Sequence, residues 1–432
     1  MVEIRILGIF AFFLILSLLC RISLLWALLA GFILFFSYGI YRHHSFHEMV
    51  NLSFSGIHTT KTVLITLALV GILTASWRIC GTIPYIVYYA AQWCHPALML
   101  TSIFLLCGFI SMLMGTSFGT AATMGVICMT MTNSMHIPAV YAGGAILAGV
   151  YIGDRCSPMS TSALLVATIT HTDIFKNMLL MIKTSAVPLL ISIILYTVLG
   201  LSLSSAETTA HTAAIFNQYF TLHWVTSIPA VLVIVLSCCR MHVKYIMLTS
   251  ILTAAVIAHI WQGMRIEAIL QAFFFGFHPH DPQLAQLLNG GGFVSMLHVL
   301  AIIIISSSYA GIFSGTGFLQ PIQDAIHKMS KKTSSFGAIL LTSVVTSMIS
   351  CNQTLAIMLT HQICRPIEPD AQRMAIALEN TAVITSPLIP WSIACSVVLA
   401  VVNAPMTSIG LACYLYLLPA WCLYVELHKR QH

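Results

Sequence analysis

Charge is what this chain has least of. Only 7% of its 432 residues are Asp, Glu, Lys or Arg, where soluble domains carry about 25%. With 59% of the chain hydrophobic, a water-facing surface of the usual kind cannot be built. Apolar runs long enough to cross a bilayer recur along the whole length. No polar stretch between them is long enough for a soluble domain. The chain therefore reads as an all-α polytopic membrane protein whose surroundings are the lipid bilayer. Its net charge of +6 lies in short loops with no basic stripe, which argues against nucleic acid as a partner. The 13 Cys form no CxxC, and Cys238 and Cys239 are adjacent, so they read as small buried hydrophobes. The 18 His show neither CxxCH nor a paired-helix pattern, so no haem, metal or other cofactor is implied. His43, His44, His47, His278 and His280 read as loop residues, and His298 as a packed, hydrogen-bonded one. The N-terminal run after Arg5 lacks a small-residue cleavage site and reads as a retained first helix.

The most informative stretch is YIGDRCSPMSTSAL at 151–164. It interrupts an apolar run with an Asp, an Arg, a Pro and several hydroxyls. Non-helical backbone at membrane depth survives only when buried in protein or lining a wet cavity. An ionisable residue there is costly and by default a candidate site. The expectation is a helix broken at 153–160 with Asp154 at the break.

Taken in order, spans are expected at 4–20, 23–41 and 61–77, separated by a polar connection at 42–60. The segment 78–92 is ambiguous. A re-entrant hairpin follows at 96–136 with its tip at GTSFGT (115–120), then the broken helix 137–170. After a polar turn at 171–183 comes a span at 184–203. The second half offers spans at 223–239 and 243–262 and a connection at 263–292 with a surface helix. Next come a span at 293–317, a hairpin at 334–364 with SCNQT at its tip, a broken helix at 371–402 and a closing span at 406–427. Each half thus repeats one plan: three spans, a hairpin, a broken helix and a closing span. Ser-Pro recurs in both breaks, at 157–158 and 386–387. The expected organisation is a first repeat at 1–203, a connection at 204–222 and a second repeat at 223–432. That gives about ten transmembrane helices plus two re-entrant hairpins. Five full spans per half would insert the two repeats with inverted topology, the plan of secondary transporters with midplane sites at broken helices.

Charge placement agrees. With both termini inside, Arg5, Arg42, Lys61, Lys176, Lys183, Arg240, Lys244, Lys328, Lys331, Lys332, Arg365, Arg373, Lys429 and Arg430 are inside. That is 14 of the 18 Lys and Arg. Arg21, Arg78 and Arg265 fall outside, and Arg155 is intramembrane.

Of the 12 acids, only Asp154 and Glu379 lie in the breaks of spans. A cation site needs hard oxygen ligands. The first half offers Thr116, Ser117, Thr120, Asp154, Ser157, Ser160 and Thr161. The second offers Asn352, Gln353, Thr354, Glu379, Asn380, Thr381, Thr385 and Ser386. A buried carboxylate that takes either a proton or a cation supplies antiport with no catalytic constellation, so an enzyme is not the expectation. A membrane-embedded enzyme is the contrasting class. Arg155 is a partner for Asp154 or an attractor of an organic anion.

At these motifs the chain resembles the NhaC family of Na⁺/H⁺ antiporters. GTSFGT at 115–120 is similar to that family's GTSWGT, GDRCSPMSTS at 153–162 to GDHxSPISDTT, and LENTAVITSPLIPWS at 378–392 to LEDSGTVTSPLIPWN. The resemblance covers most of the chain in order and hydropathy. It implies a secondary active antiporter of the bacterial cytoplasmic membrane that exchanges Na⁺ for H⁺ by alternating access. The departures fall in the breaks. Thr161 stands at the family's second Asp and Arg155 at its His. Asn380, Ala382, Val383 and Ser392 replace Asp, Gly, Thr and Asn. Relatives that exchange small carboxylates, such as malate for lactate, keep a Na⁺- or H⁺-coupled organic-acid or amino-acid exchanger open as the alternative. A homodimer is also left open.

Overall fold

A computed structural model describes the chain apart from residues 1, 21–22, 94–95, 136, 159, 204–218, 240, 280, 282–283, 285–287, 319–333 and 432. Arg21, Arg240, His280, Lys328, Lys331, Lys332 and most of the 204–222 connection lie outside the described residues. The described residues are helical throughout, apart from turns and one isolated bridge between Phe277 and Gly290. The order begins with α1 (Val2–Leu19), α2 (Leu24–Tyr41), α3 (Phe46–Thr59), α4 (Lys61–Ile79), α5 (Thr82–Trp93) and α6 (Met99–Met114). The short α7 (Ser117–Thr120) passes through a π turn (Ala121–Gly125) into α8 (Val126–Ser134). Then come α9 (Ala139–Cys156), α10 (Thr161–Thr170) and α11 (Ile174–Leu203). The second half has α12 (Ile228–Cys238), α13 (Val243–Ile260), α14 (Ile266–Phe275), α15 (Leu297–Thr316), α16 (Ser335–Ser350) and α17 (Gln353–Cys364). It closes with α18 (Ala371–Asn380), α19 (Ala382–Thr385), α20 (Ile393–Val401) and α21 (Cys413–Gln431).

Among the described residues, three helical stretches are long and apolar enough to cross a membrane unaided: Pro96–Met114, Ile174–Leu203 and Phe293–Thr316. A fourth crossing is available if Ala371–Leu388 and Ile393–Val401, bent by 57°, count as one. The protein is thus an integral membrane protein built of helices. α11 shows how sequence sets exposure. Its buried residues are Asn177, Met181, Ser185, Pro188, Ser192, Tyr196 and Gly200, one stripe at helical spacing. Its other faces carry Leu179, Leu190, Ile194 and Val198, all exposed.

Two apolar clusters hold the bundle together. One joins α4, α6, α8 and α9 to α12, α13 and α20. The other joins α1 and α2 to α15, α16, α17 and α18. The short α19 bridges them, with Ala382 and Val383 in one and Ile384 in the other. The N-terminal helices therefore bury their apolar faces against the second half of the chain.

α9 is the central element, and every residue from 142 to 156 is buried. Its small residues explain how. Gly149 and Gly153 form a GxxxG pair, the spacing that lets helices approach closely. A Cβ on Gly149 would lie 2.7 Å from the Phe104 carbonyl oxygen, and one on Gly153 would overlap the Ser111 backbone. On α6, a Cβ on Gly108 would lie 2.9 Å from Ile152 Cδ1. α6 and α9 therefore pack backbone to backbone.

Several expectations need correction. The segment 42–60 is not merely a polar connection, because α3 occupies most of it. Ser45 caps that helix by accepting from the Glu48 amide at 3.2 Å, half of a capping box. The helix buries Met49, Ser53 and Gly56, the last against the backbone of Ser307 and Gly311 on α15. α5 occupies most of the ambiguous 78–92 segment, and the expected turn at 171–183 shrinks to three residues before α11 begins. The surface helix expected in 263–292 is α14. His298 meets Ser23 Oγ at 3.4 Å, but the residue is exposed, so the hydrogen bond is present without the packing. We expect His298→Gln to leave exchange and its pH profile unchanged. A profile moved by about one pH unit would show that this imidazole titrates in the cycle.

Candidate functional site

The helix ends at Gly115 and Cys351, where the hairpin tips were expected, share one backbone solution. α6 ends at Gly115 in the left-handed region (φ 66°), and Thr116 follows extended, its side chain accepting from the Gly119 amide at 3.3 Å. α16 ends at Cys351, also left-handed (φ 53°). Asn352 follows extended and accepts from the Thr354 amide at 2.9 Å. Glycine takes that conformation freely and cysteine does so at a cost. The two breaks rhyme as well. Ser160 caps α10 through the Ser162 and Ala163 amides, and Ser392 caps α20 through the Ala394 amide.

The first break is narrower than expected. α9 runs on to Cys156, so Asp154 and Arg155 lie in its last turn and not in the break itself. The stop comes at Ser157, extended at φ −103° and ψ 136°, as a residue before proline must be. The second break has two parts. Thr381 (φ −123°, ψ −81°) separates α18 from α19, and a 3-10 turn (Ser386–Leu388), an extended Ile389 and a turn at Pro390 precede α20. Glu379 is therefore also in a last helical turn.

These ends meet. Asp154 Oδ2 accepts from Gln353 Nε2 at 3.0 Å, and Ser162 Oγ lies 3.3 Å from it. Ser162 is equally far from Gln353 Oε1, and Gln353 Nε2 also reaches the Val383 carbonyl at 3.1 Å. The Ser117 amide faces the same carboxylate. Asp154 is 4% exposed. Gln353 is the first residue of α17, and Ser162 lies in the first turn of α10. Two helix N-termini therefore converge on this carboxylate, where their dipoles favour negative charge. Tyr151 donates to the Ala394 carbonyl at 2.7 Å, and the Ile393 amide donates to the Cys351 carbonyl at 2.9 Å. Those bonds tie α9 and the second hairpin tip to the start of α20.

Arg155 does not pair with Asp154. Its Nη1 donates to Ser185 and to Tyr414 Oη (3.2 Å), and its Nη2 to the Met181 carbonyl (3.1 Å), to Thr184 (2.8 Å) and to Asn380 Oδ1. The guanidinium thus lies at the C-terminal ends of α9 and α18, where helix dipoles favour a cation. Glu379 is fully buried, and neither carboxylate oxygen has a hydrogen-bond partner, nor does Arg155 Nε. Among the described residues, Arg155 and Asp154 are the charged groups that act electrostatically on Glu379.

The remaining expected residues divide. Thr120 and Thr381 are buried but turn back onto carbonyls of their own helices, Thr116 and Ala377. Ser160 bonds the Asp154 carbonyl oxygen and so holds the break. Ser386 meets Ser347 Oγ at 3.0 Å, beside Thr385. Thr116 and Asn352 cap helices. Ser157 is buried next to the break, whereas Thr161 and Thr354 are exposed. Sequence spacing gave no hint of Ser185, Thr184, Tyr414 or Ser347. Their helices are remote in sequence, and isolated hydroxyls in apolar runs carry no signal of their own. Among the described residues, no three His, Cys, Asp or Glu side chains gather as a metal site would require.

A helical membrane protein whose interrupted helices bring two buried carboxylates together belongs to the class of secondary transporters. More particularly, the chain belongs to the Na⁺/H⁺ antiporter family, whose model matches residues 149–405 and so takes in both breaks and the second hairpin. It is similar to the malate-2H⁺/Na⁺-lactate antiporter of Bacillus subtilis (strain 168), 28% identical over 82% of this chain and 78% of the relative. It is also similar to the Na⁺/H⁺ antiporter NhaC of the same organism, 26% identical over 87% of this chain and 86% of the relative. The arginine/ornithine antiporter ArcD of Halobacterium salinarum is 27% identical over 76% of this chain and 70% of the relative. Antiport is common to these three names and cargo is not, so cargo must be argued from the site.

Proposed function

We propose that the protein is a secondary antiporter of the bacterial cytoplasmic membrane that exchanges Na⁺ for H⁺ by alternating access. The observation that carries this reading is Asp154, a buried carboxylate held by Gln353 and faced by Ser162 where interrupted helices cross. Those groups, with the released backbone carbonyls of the breaks, are hard oxygen donors that suit Na⁺. The same carboxylate can take a proton instead, so the two cargoes compete for one place. The paired tips and paired Ser-capped breaks support two repeats of inverted topology, at 1–203 and 223–432, rocking about the shared site. A small organic anion is the second reading, favoured by the malate–lactate relative. Against it, both Nη atoms of Arg155 are occupied by the protein's own oxygens, which leaves no free fork for a carboxylate.

Purified protein in proteoliposomes, with internal pH followed by a dye, tests the reading. An outward Na⁺ gradient is expected to drive proton uptake, and malate, lactate or amino-acid gradients are not. Proton movement with an organic-acid gradient and none with Na⁺ would transfer the assignment to the second reading. Orientation has its own check. A Cys placed at Lys176, after reactive native Cys are replaced, is expected to resist a membrane-impermeant reagent in intact cells, and labelling there would invert the topology.

A further inference from the structure

Gln353 does something at the crossing that cation–proton competition at Asp154 does not explain. Its Nε2 reaches two oxygens, Asp154 Oδ2 at 3.0 Å and the Val383 carbonyl at 3.1 Å. That carbonyl is free to take it for a local reason. The residue four places on, which would donate to it in a regular helix, is Pro387 and has no N–H. The Ser386 amide donates to the Ala382 carbonyl instead. The orientation of the Gln353 amide follows, since a carbonyl only accepts and must meet Nε2 and not Oε1. Oε1 faces Ser162 Oγ at 3.3 Å, and that hydroxyl is equally far from Asp154 Oδ2. A carboxylate, a freed carbonyl and a hydroxyl are the hard donors that a small cation takes. The atom bonded to the first two is a nitrogen that carries hydrogens, and it cannot ligate a cation. Gln353 is only half-buried where Asp154 is buried, so the amide is the more accessible of the two. The backbone around it is pinned. The Ile393 amide donates to the Cys351 carbonyl at 2.9 Å, and Asn352 Oδ1 accepts from the Thr354 amide at 2.9 Å. The side chain can swing while that backbone stays.

We propose that Gln353 is a latch that holds the cation's place at Asp154 and sets how strongly Na⁺ competes there. Its amide engages the two oxygens while no Na⁺ is aboard and must swing out before Na⁺ can take them. This rests on the Na⁺/H⁺ reading given above. A proton needs no such movement, because a carboxyl group can hold it on one oxygen and still accept from Nε2 on the other. Na⁺ therefore bears the cost of breaking hydrogen bonds that the proton leaves in place. The same amide ties α17 to α9 and to α19, so Na⁺ entry releases three elements from one another. Gln353 is thus a specificity-determining residue of the exchange.

The test uses the full chain purified in detergent. Binding of radiolabelled Na⁺ is measured at about pH 9, well above the ordinary carboxylate range, where proton competition is least. Gln353→Met keeps the length of the side chain and cannot donate. It is expected to bind Na⁺ about tenfold more tightly than the wild type, the effect of one hydrogen bond to a charged group removed from the competition. Gln353→Ala is expected to do the same and covers the case in which Gln353→Met does not fold. Gln353→Lys brings an ammonium to the same oxygens and is expected to abolish Na⁺ binding in a protein that still elutes as a single species. Weaker binding in Gln353→Met and Gln353→Ala would make the amide oxygen a ligand and overturn the latch. Unchanged binding in both, or binding of wild-type strength in Gln353→Lys, overturns it as well. Absence of Na⁺-driven proton movement in wild-type proteoliposomes overturns the Na⁺/H⁺ reading and the latch with it.

Discussion

Asp154→Asn is expected to abolish coupled exchange, to below about one hundredth of the wild-type rate, in a protein that still inserts and folds. The amide is nearly isosteric with the carboxylate, so the close packing of α9 survives. Its oxygen can still accept from Gln353 Nε2, which reaches Asp154 Oδ2 at 3.0 Å. What is lost is the negative charge and the proton it carries, the parts of the side chain that the proposed exchange requires. The double variant Asp154→Asn with Arg155→Gln sharpens the point. Had Asp154 served to neutralise Arg155, removing both charges would restore transport. The guanidinium instead bonds Ser185, Thr184, Met181, Tyr414 and Asn380. The double variant is therefore expected to stay inactive, and recovered exchange would show that Asp154 acts as a counter-ion and not as the ligand.

Gly153→Val is expected to be the most destructive single change outside the carboxylates. Even the first carbon of a side chain would overlap the Ser111 backbone, and backbone cannot rotate away as a side-chain tip can. Ser111 also donates to the Val150 carbonyl across the same contact, so parting the helices loses that bond too. Overpacking in a well-filled core usually costs about 1–3 kcal/mol. Here the helices must separate, so a loss of roughly 3 kcal/mol or more is expected. It would be read as early thermal unfolding on fluorescence-detected size-exclusion chromatography. A Gly153→Val protein as heat-stable as the wild type would mean that α6 and α9 do not approach as described.

The places where helices stop were the most legible in the sequence. A Pro or Gly beside clustered hydroxyls at membrane depth has few physical outcomes, and both carboxylates flagged at such places sit at one crossing. The error there was one of extent. Asp154 and Glu379 stay helical because the backbone is forced out of the α region only at Ser157, by Pro158, and at Thr381. α3 was hidden by its composition, since His47 and Asn51 within it, following His43 and His44 in the turn before it, look like loop. The signals present were the Ser45 and Glu48 cap and the spacing of Met49, Ser53 and Gly56. The surroundings of Arg155 were not legible at all. Ser185 is 30 residues away, Asn380 is 225 and Tyr414 is 259, and no local pattern encodes contacts at such separations. Membership of the family fixes antiport, while the proposed cargo rests on the contacts at the breaks.

In the proposed exchange one carboxylate, Asp154, holds either Na⁺ or a proton. Proton release on adding Na⁺ to the purified protein in weakly buffered detergent measures it directly. Saturating Na⁺ is expected to release up to about one proton per chain from the wild type. From Asp154→Asn no release above background is expected. Release of the same size from the variant, or none from a wild type that transports, would contradict the account.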